Sequence, residues 1–301
     1  MSTRPRTLCG SVSTHPGNLA PVHESPARRP TTPVRIRVVD HAQVREQPDR
    51  LVTEEPMEIR VKGPGQDASP VTVTMRTPGN DFELAVGFCV SERVVVAPGD
   101  VASVAYCLRG DAPQEYNVVT VTMRTPVDIE AHRRAFVSSS SCGLCGKTTL
   151  DQVEAVCPVV TSEARVSAAA LVAMPDTLRR SQAVFDATGG VHAVGCFTPE
   201  GDLLVLREDV GRHNALDKVI GWAALTGALP LADAICIVSG RVSFEIVQKA
   251  AMAGIPVIGA VSAPSSLAVQ TADRLGVTVV GFLRGERFNV YTHPERVEVA
   301  G

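Results

Sequence analysis

From residue 191 onward the chain alternates between short apolar runs and longer segments whose apolar positions recur every three or four residues. The runs at 191–197, 203–207, 234–238, 256–261 and 277–282 read as strands, and the segments 213–225, 242–253 and 265–275 read as helices. Strands interleaved with helices imply a layered α/β architecture. Upstream the period changes. Val34-Arg35-Ile36-Arg37-Val38, Met57-Glu58-Ile59-Arg60-Val61 and Val71-Thr72-Val73-Thr74-Met75-Arg76 alternate residue by residue, as half-buried strands do. The octapeptide from Val71 to Pro78 recurs from Val119 to Pro126. Two copies do not make a solenoid. The simpler reading is two similar strands of one sheet, with a duplicated strand unit as the alternative.

Asn80 or Asp81 can cap a helix running to about Arg93, with Phe82, Ala85, Val86 and Cys89 on its apolar face. The segment 175–187 reads as another helix, opened by Pro175 and closed by Gly189-Gly190. Residues 1–33 are rich in Pro, Ser, Thr and Arg without periodicity and read as a disordered tail. The expected organisation is that tail, a β-rich part at 34–135, a loop with a following helix at 136–160, and an α/β part at 161–301.

Composition narrows the function. The 301 residues, 45% hydrophobic and 20% charged, suit a globular protein with a substantial core. A net charge of -3 gives no electrostatic case for nucleic-acid binding, although a local basic pocket is compatible with it. No apolar run approaches the roughly 18–20 residues that span a bilayer. Arg4 and Arg6 are not followed by an apolar stretch, so the start does not read as a secretory signal. A cytoplasmic protein without a membrane partner is expected. Five of the eight cysteines (Cys89, Cys107, Cys157, Cys196 and Cys236) lie singly in apolar segments and read as small buried hydrophobes.

The remaining chemistry concentrates in Ser138-Ser139-Ser140-Ser141-Cys142-Gly143-Leu144-Cys145-Gly146-Lys147. A structural zinc site needs four ligands, and only Cys157 and His132 are near, neither with finger-like spacing. A thioredoxin-type dithiol would be expected with an aromatic flank, but the only tryptophan is Trp222. Gly146-Lys147-Thr148 resembles the end of a P-loop, but Ser141 occupies the first glycine position. An ordinary surface loop with two idle thiols is a further reading. Persulfide chemistry fits the composition better. The serines and glycines make a small, polar, mobile loop, and Lys147 with a following helix start favours a thiolate.

In the C-terminal half, glycine, serine and arginine gather where strands give way to helices. These stretches are Arg207-Glu208-Asp209-Val210-Gly211-Arg212-His213-Asn214, Ser239-Gly240-Arg241-Val242-Ser243 and Ser262-Ala263-Pro264-Ser265-Ser266. The last strand ends in Phe282-Leu283-Arg284-Gly285-Glu286-Arg287. Helix starts bind phosphate through free N–H groups, and open α/β sheets hold ligands at the carboxyl ends of their strands. Taken singly the residues have plainer roles: Ser262 and Ser265 as helix caps, His213 as a structural hydrogen-bonder, Asp217 and Lys218 on a solvated helix face. No dinucleotide glycine fingerprint is present.

The stretches 141–146, 209–218, 239–245 and 281–291, in this order, resemble the motifs of the formate dehydrogenase accessory sulfurtransferases, the FdhD family. The resemblance runs from about residue 34 to the C-terminus. It implies a fold similar to cytidine deaminases, a cytoplasmic location and commonly a homodimer. It implies a carrier that accepts persulfide sulfur from a cysteine desulfurase. The sulfur then passes to the molybdenum of a bis(molybdopterin guanine dinucleotide) cofactor, held as a bound substrate, before that cofactor enters formate dehydrogenase. By motif match Cys142 takes the persulfide and Cys145 assists. Phe282, Leu283, Arg284, Gly285, Glu286 and Arg287 match the cofactor-binding stretch. Arg212, His213, Arg241 and Ser262 complete the expected anion pocket, and no metal bound stably by the protein itself is expected.

Overall fold

The computed structural model describes residues 28–107, 116–128 and 157–299. β1 (Thr31–Asp40) and β2 (Gln43–Val52) form a long antiparallel hairpin. Its two-residue turn, His41 and Ala42, has φ of 45° and 69°, the left-handed geometry that matches strand twist. β1 therefore begins inside the segment read as a tail.

β3 (Glu55–Lys62), β4 (Ser69–Arg76), β5 (Val101–Tyr106) and β6 (Val118–Met123) form a four-stranded sheet in the order β4-β3-β6-β5. The two octapeptide copies are thus strands of one sheet, on either side of β3, β4 antiparallel to it and β6 parallel. They face opposite ways. In β6, Val119, Val121 and Met123 are buried, whereas in β4 Val73 is 63% exposed and Arg76 is fully buried. A one-residue change of register exchanges the faces of a strand, so partners and not local sequence decide. In β4 the decision lies with Arg76, whose guanidinium meets both oxygens of Asp81 at 3.1 and 2.9 Å. Asp81 opens helix α1 (Asp81–Ser91), entered through Asn80 at φ 56° and left through Arg93 at φ 59°.

β7 (Val166–Ser167) leads into α2 (Ala168–Arg180), capped by Ser167, whose hydroxyl accepts from Ala170 N. The helix expected at 175–187 is displaced. Pro175 lies inside α2 and not at its start, and the helical path breaks at Ser181-Gln182 before the short α3 (Ala183–Thr188). The main sheet follows: β8 (His192–Phe197), β9 (Leu203–Asp209), β10 (Ile235–Val238), β11 (Val257–Ala260), β12 (Thr278–Arg284) and β13 (Arg287–Val290), in the order β13-β12-β11-β10-β8-β9. β10, β11 and β12 run parallel. Helices α4 (Arg212–Thr226), α5 (Phe244–Met252) and α6 (Ser266–Arg274) connect them, and β14 (Val297–Glu298) pairs with β7 near the C-terminus.

Strand alternation divides the core. Ile235, Ile237, Phe197 and Leu283 join Leu171, Met174 and Leu178 of α2 on one face of the main sheet. Cys196, Cys236, Ile258 and Val279 join α1, α4, α5, α6 and the inner face of the four-stranded sheet on the other. The result is a mixed α/β architecture in layers. Helix α4 is wedged between the main sheet and α1. At their crossing a Cβ on Gly87 would lie 1.7 Å from the Asp217 carbonyl oxygen, and one on Gly221 would lie 1.8 Å from the Glu83 carbonyl oxygen. Only two glycines allow backbones this close.

This wedge overturns the solvated-face expectation for Asp217 and Lys218, which are 2% and 1% exposed. Asp217 accepts from Lys249 Nζ at 2.8 and 2.9 Å and from Ser91 Oγ at 2.7 Å. Lys218 Nζ lies 2.7 Å from Asp209 Oδ2 and donates to the carbonyls of Thr77 and Glu208. Asp209 in turn accepts from Thr77 N, and Val210 N donates to Thr77 Oγ1. The stretch 209–218 therefore pins the turn after β4 to the turn after β9.

Candidate functional site

Because β8 runs antiparallel to β10, its first residues lie beside the carboxyl end of β10. Ser239 and Ala193 exchange two hydrogen bonds there, Ser239 N to Ala193 O at 3.0 Å and Ala193 N to Ser239 Oγ at 2.9 Å. His192 sits next to them, and the carboxyl ends of β11 and β12 complete the row. Between these ends and the α2–α3 corner lies a cavity of about 620 Å³. Leu283, Arg284, Gly285, Ser239 and His192 form part of its wall. Arg284 is aimed by its Nε, which donates to the Val261 carbonyl at 2.8 Å.

The stretch before Arg284 is irregular. Phe282 adopts φ 54°, a left-handed conformation costly for an aromatic residue, and the β12–β13 register shifts between Gly281 and Arg284. Phe282 N donates to Ser262 O, and the ring is left 44% exposed. Strain of this kind persists only where surrounding contacts hold it, and it concentrates at functional sites. Gly285 follows at φ 55°, with Glu286 and Arg287 exposed at the hairpin tip.

The other expected pocket residues divide. Ser262 contributes its carbonyl to Phe282, whereas Ser265 caps α6 by accepting from Ala268 N. Arg212 and His213 open α4 and Arg241 is exposed before α5, so these three lie beside the cavity and not in its wall. Arg212 comes near its rim, since a Cβ on Gly240 would touch both the His192 ring and Arg212 Cδ. His213 Nε2 lies 2.9 Å from Glu245 Oε2 and 3.2 Å from Ser243 Oγ. That bond from His213 holds the Glu245 carboxyl below the usual range. Cys142 and Cys145, with the loop and helix expected around them, lie outside the described residues. Cys89, Cys157, Cys196 and Cys236 are buried as expected, while Cys107 is half-buried. Burial pushes Cys157 up to about 11 and Cys89 higher still, which keeps both as unreactive thiols.

His192 was not among the expected site residues; its only local signal is its place at the strand start after Gly189-Gly190. Burial, then Arg212 and then His213, lower its pKa, against a smaller opposing pull from Asp209. An unfolded chain takes up this proton more readily than the folded one. The neutral ring therefore supports the fold above the ordinary histidine pKa, and that support is lost as pH falls through it toward the lowered folded value. Melting temperature should fall between about pH 7.5 and 5.5 by more in the wild type than in His192→Asn. Equal slopes would show that His192 does not titrate this way.

Among the described residues no group of three or more His, Cys, Asp and Glu side chains could hold a metal ion, and no helix is long and apolar enough to cross a membrane. The model of the FdhD/NarQ family matches residues 52–298. The sulfur carrier protein FdhD of Nocardia farcinica is 50% identical over 266 residues, covering 87% of this chain and 92% of that one. The sulfur carrier protein FdhD of Streptomyces coelicolor is 51% identical over 271 residues, covering 87% and 93%. The crystal structure of a candidate formate dehydrogenase accessory protein from Desulfotalea psychrophila shares the fold, with a TM-score of 0.70 over 90% of this chain and 100% of that one at 23% identity. Family match and half-identity across most of the sequence agree: the chain belongs to the FdhD/NarQ family.

Proposed function

We propose that this protein is a sulfur carrier in the maturation of formate dehydrogenase. The observation that carries the reading is 50% identity to relatives named as sulfur carriers, over 87% of the chain. In this reading the Cys142 thiolate attacks the outer sulfur of a cysteine desulfurase persulfide. The donor S–S bond breaks, the donor leaves as a thiolate, and a persulfide forms on Cys142. Cys145 assists, and the terminal sulfur passes to the molybdenum of a bis(molybdopterin guanine dinucleotide) cofactor. The cavity at the strand ends supports this second half. It has apolar walls for ring systems, and the exposed Arg284 at its edge suits phosphates. A cytoplasmic homodimer with cytidine-deaminase-like layering completes the reading.

The test is incubation with a cysteine desulfurase and cysteine, followed by peptide mass spectrometry. One added sulfur atom is expected on Cys142 of the wild type, and Cys142→Ala should neither carry it nor support formate dehydrogenase activity in cells. Wild type without added sulfur overturns the assignment. A Cys142→Ala variant that still matures the dehydrogenase leaves a cofactor-binding chaperone in its place.

A further inference from the structure

Strand β9 stands at the rim of the main sheet and pairs with β8 alone among the described residues. The ladder fixes which of its backbone groups face outward. Ser239 N donates to Ala193 O, so Ala193 and Gly195 turn their backbones toward β10, and the residues between them turn toward β9. Glu208 and Leu206 stand opposite Ala193 and Gly195. These two residues of β9 therefore point their own N–H and C=O groups to the open side. Both carbonyls are used there: Leu206 O accepts from Arg207 Nη1 at 2.8 Å, and Glu208 O accepts from Lys218 Nζ at 3.2 Å. The two N–H groups meet no acceptor among the described residues. The edge is left with donors to satisfy, about 6.6 Å apart along the strand.

This edge forms one wall of a second cavity, of about 440 Å³, which shares no lining residue with the strand-end cavity. The turn after β4 and the start of α1 form the facing wall. Pro78 lies there with Phe82 and Tyr106, whose ring centres are 4.7 Å apart. The carboxylates of the wall are engaged: Asp81 by Arg76 and Tyr106, Glu83 by Arg207, and Glu208 by Val184 N and Phe185 N. An occupant gains by bringing acceptors and apolar surface. An extended peptide that carries prolines has this chemistry. It offers carbonyls at alternate residues and rings for the aromatic wall, and its prolines bring no N–H to compete for carbonyls already in use.

The chain delivers such a peptide to this place. Arg28, the first described residue, belongs to the cavity wall and pairs with Glu55, and Pro30 lies in the same wall. Residues 1–27 precede it, with Pro5, Pro16, Pro21 and Pro26 among them. An extended chain covers about 3.3 Å per residue, so residues 20–27 alone can cross the cavity from Arg28 to β9. We propose that residues 20–27 dock in cis as an extended strand on the open edge of β9, their carbonyls accepting from Leu206 N and Glu208 N. The docked segment adds a seventh strand to the main sheet and covers a rim that would otherwise invite pairing with other chains. The contact goes beyond the sulfur-carrier reading and does not depend on it.

The experiment is hydrogen exchange on the full chain, resolved to single amides. It is run beside a full-length variant in which a glycine–serine run of equal length replaces residues 20–27. The Leu206 and Glu208 amides should exchange at least tenfold more slowly in the wild type than in the variant, while those of Val205 and Arg207, which face β8, exchange alike in both. The second pair separates loss of the docked strand from loss of the fold. Equal rates at Leu206 and Glu208 overturn the proposal, and so does an equal acceleration at all four amides. A photo-reactive benzophenone amino acid in place of Val22 gives an independent reading. Links within one chain to residues 78–82 or 204–208 are expected. Links only between chains, or only to other surfaces, overturn docking by the chain's own segment.

Discussion

Replacing Gly221 by alanine is expected to unfold the protein or leave it barely stable. The added methyl group would meet the Glu83 backbone of α1, with three atoms of that residue inside 3 Å. A backbone cannot step aside as a side-chain tip does, so α1 and α4 must separate. That separation opens the core they share, including Val86, Val90, Val219 and Ile220. Overpacking typically costs about 1–3 kcal/mol where side chains can yield, and here the cost should exceed about 3 kcal/mol. Gly227→Ala provides the comparison. Gly227 ends the same helix at φ 76° with nothing within 4 Å of its missing Cβ, so alanine there meets only left-handed strain, about 1 kcal/mol. Chemical denaturation of the two variants separates the effects, and equal midpoints would refute the crossing as a critical contact.

Lys218→Met is expected to destabilise by about 3–5 kcal/mol, the usual consequence of leaving one partner of a buried ion pair alone. The Asp209 carboxylate, fully buried, would keep its bonds from Thr77 N, Gly211 N and Asn214 Nδ2 but lose its counter-charge. The carbonyls of Thr77 and Glu208 would lose their donor as well. Adding Asp209→Asn to Lys218→Met should recover part of the loss, since the pair is coupled and its removal together avoids an unpaired charge. A double variant no more stable than the single one would contradict the ion-pair account.

The second half of the fold was legible because its central strands are buried on both faces. Ile235-Cys236-Ile237-Val238 can be a continuous apolar run only in such a place. Misreadings arose where distant partners override a local rule. Pro175 looks like a helix opener, yet Ser167 opens α2 and the helix tolerates the proline within it. Asp217 and Lys218 look like solvated charges because their partners, Lys249 and Asp209, lie on other elements. The site divides on the same principle. Leu283, Arg284 and Gly285 belong to one continuous motif, so local sequence suffices to find them. His192 and Gln182 reach the same cavity only through sheet order and the α2–α3 break, which no local pattern encodes. The left-handed Phe282 was likewise invisible, since nothing in its neighbours demands that conformation.

The repeated octapeptide bears on how the chain finds its fold. β3 offers two edges, and the chain contains two identical strands able to take either. The first copy follows after residues 63–68 alone, whereas the second arrives only after α1 and β5. Short closure is entropically cheaper and faster, so the near copy claims β3 as a hairpin partner before the far copy can compete. The late copy then meets a half-occupied strand and joins by the parallel route. Short closure thus favours the rim for the first copy and the interior for the second, and partners such as Asp81 then hold each in place.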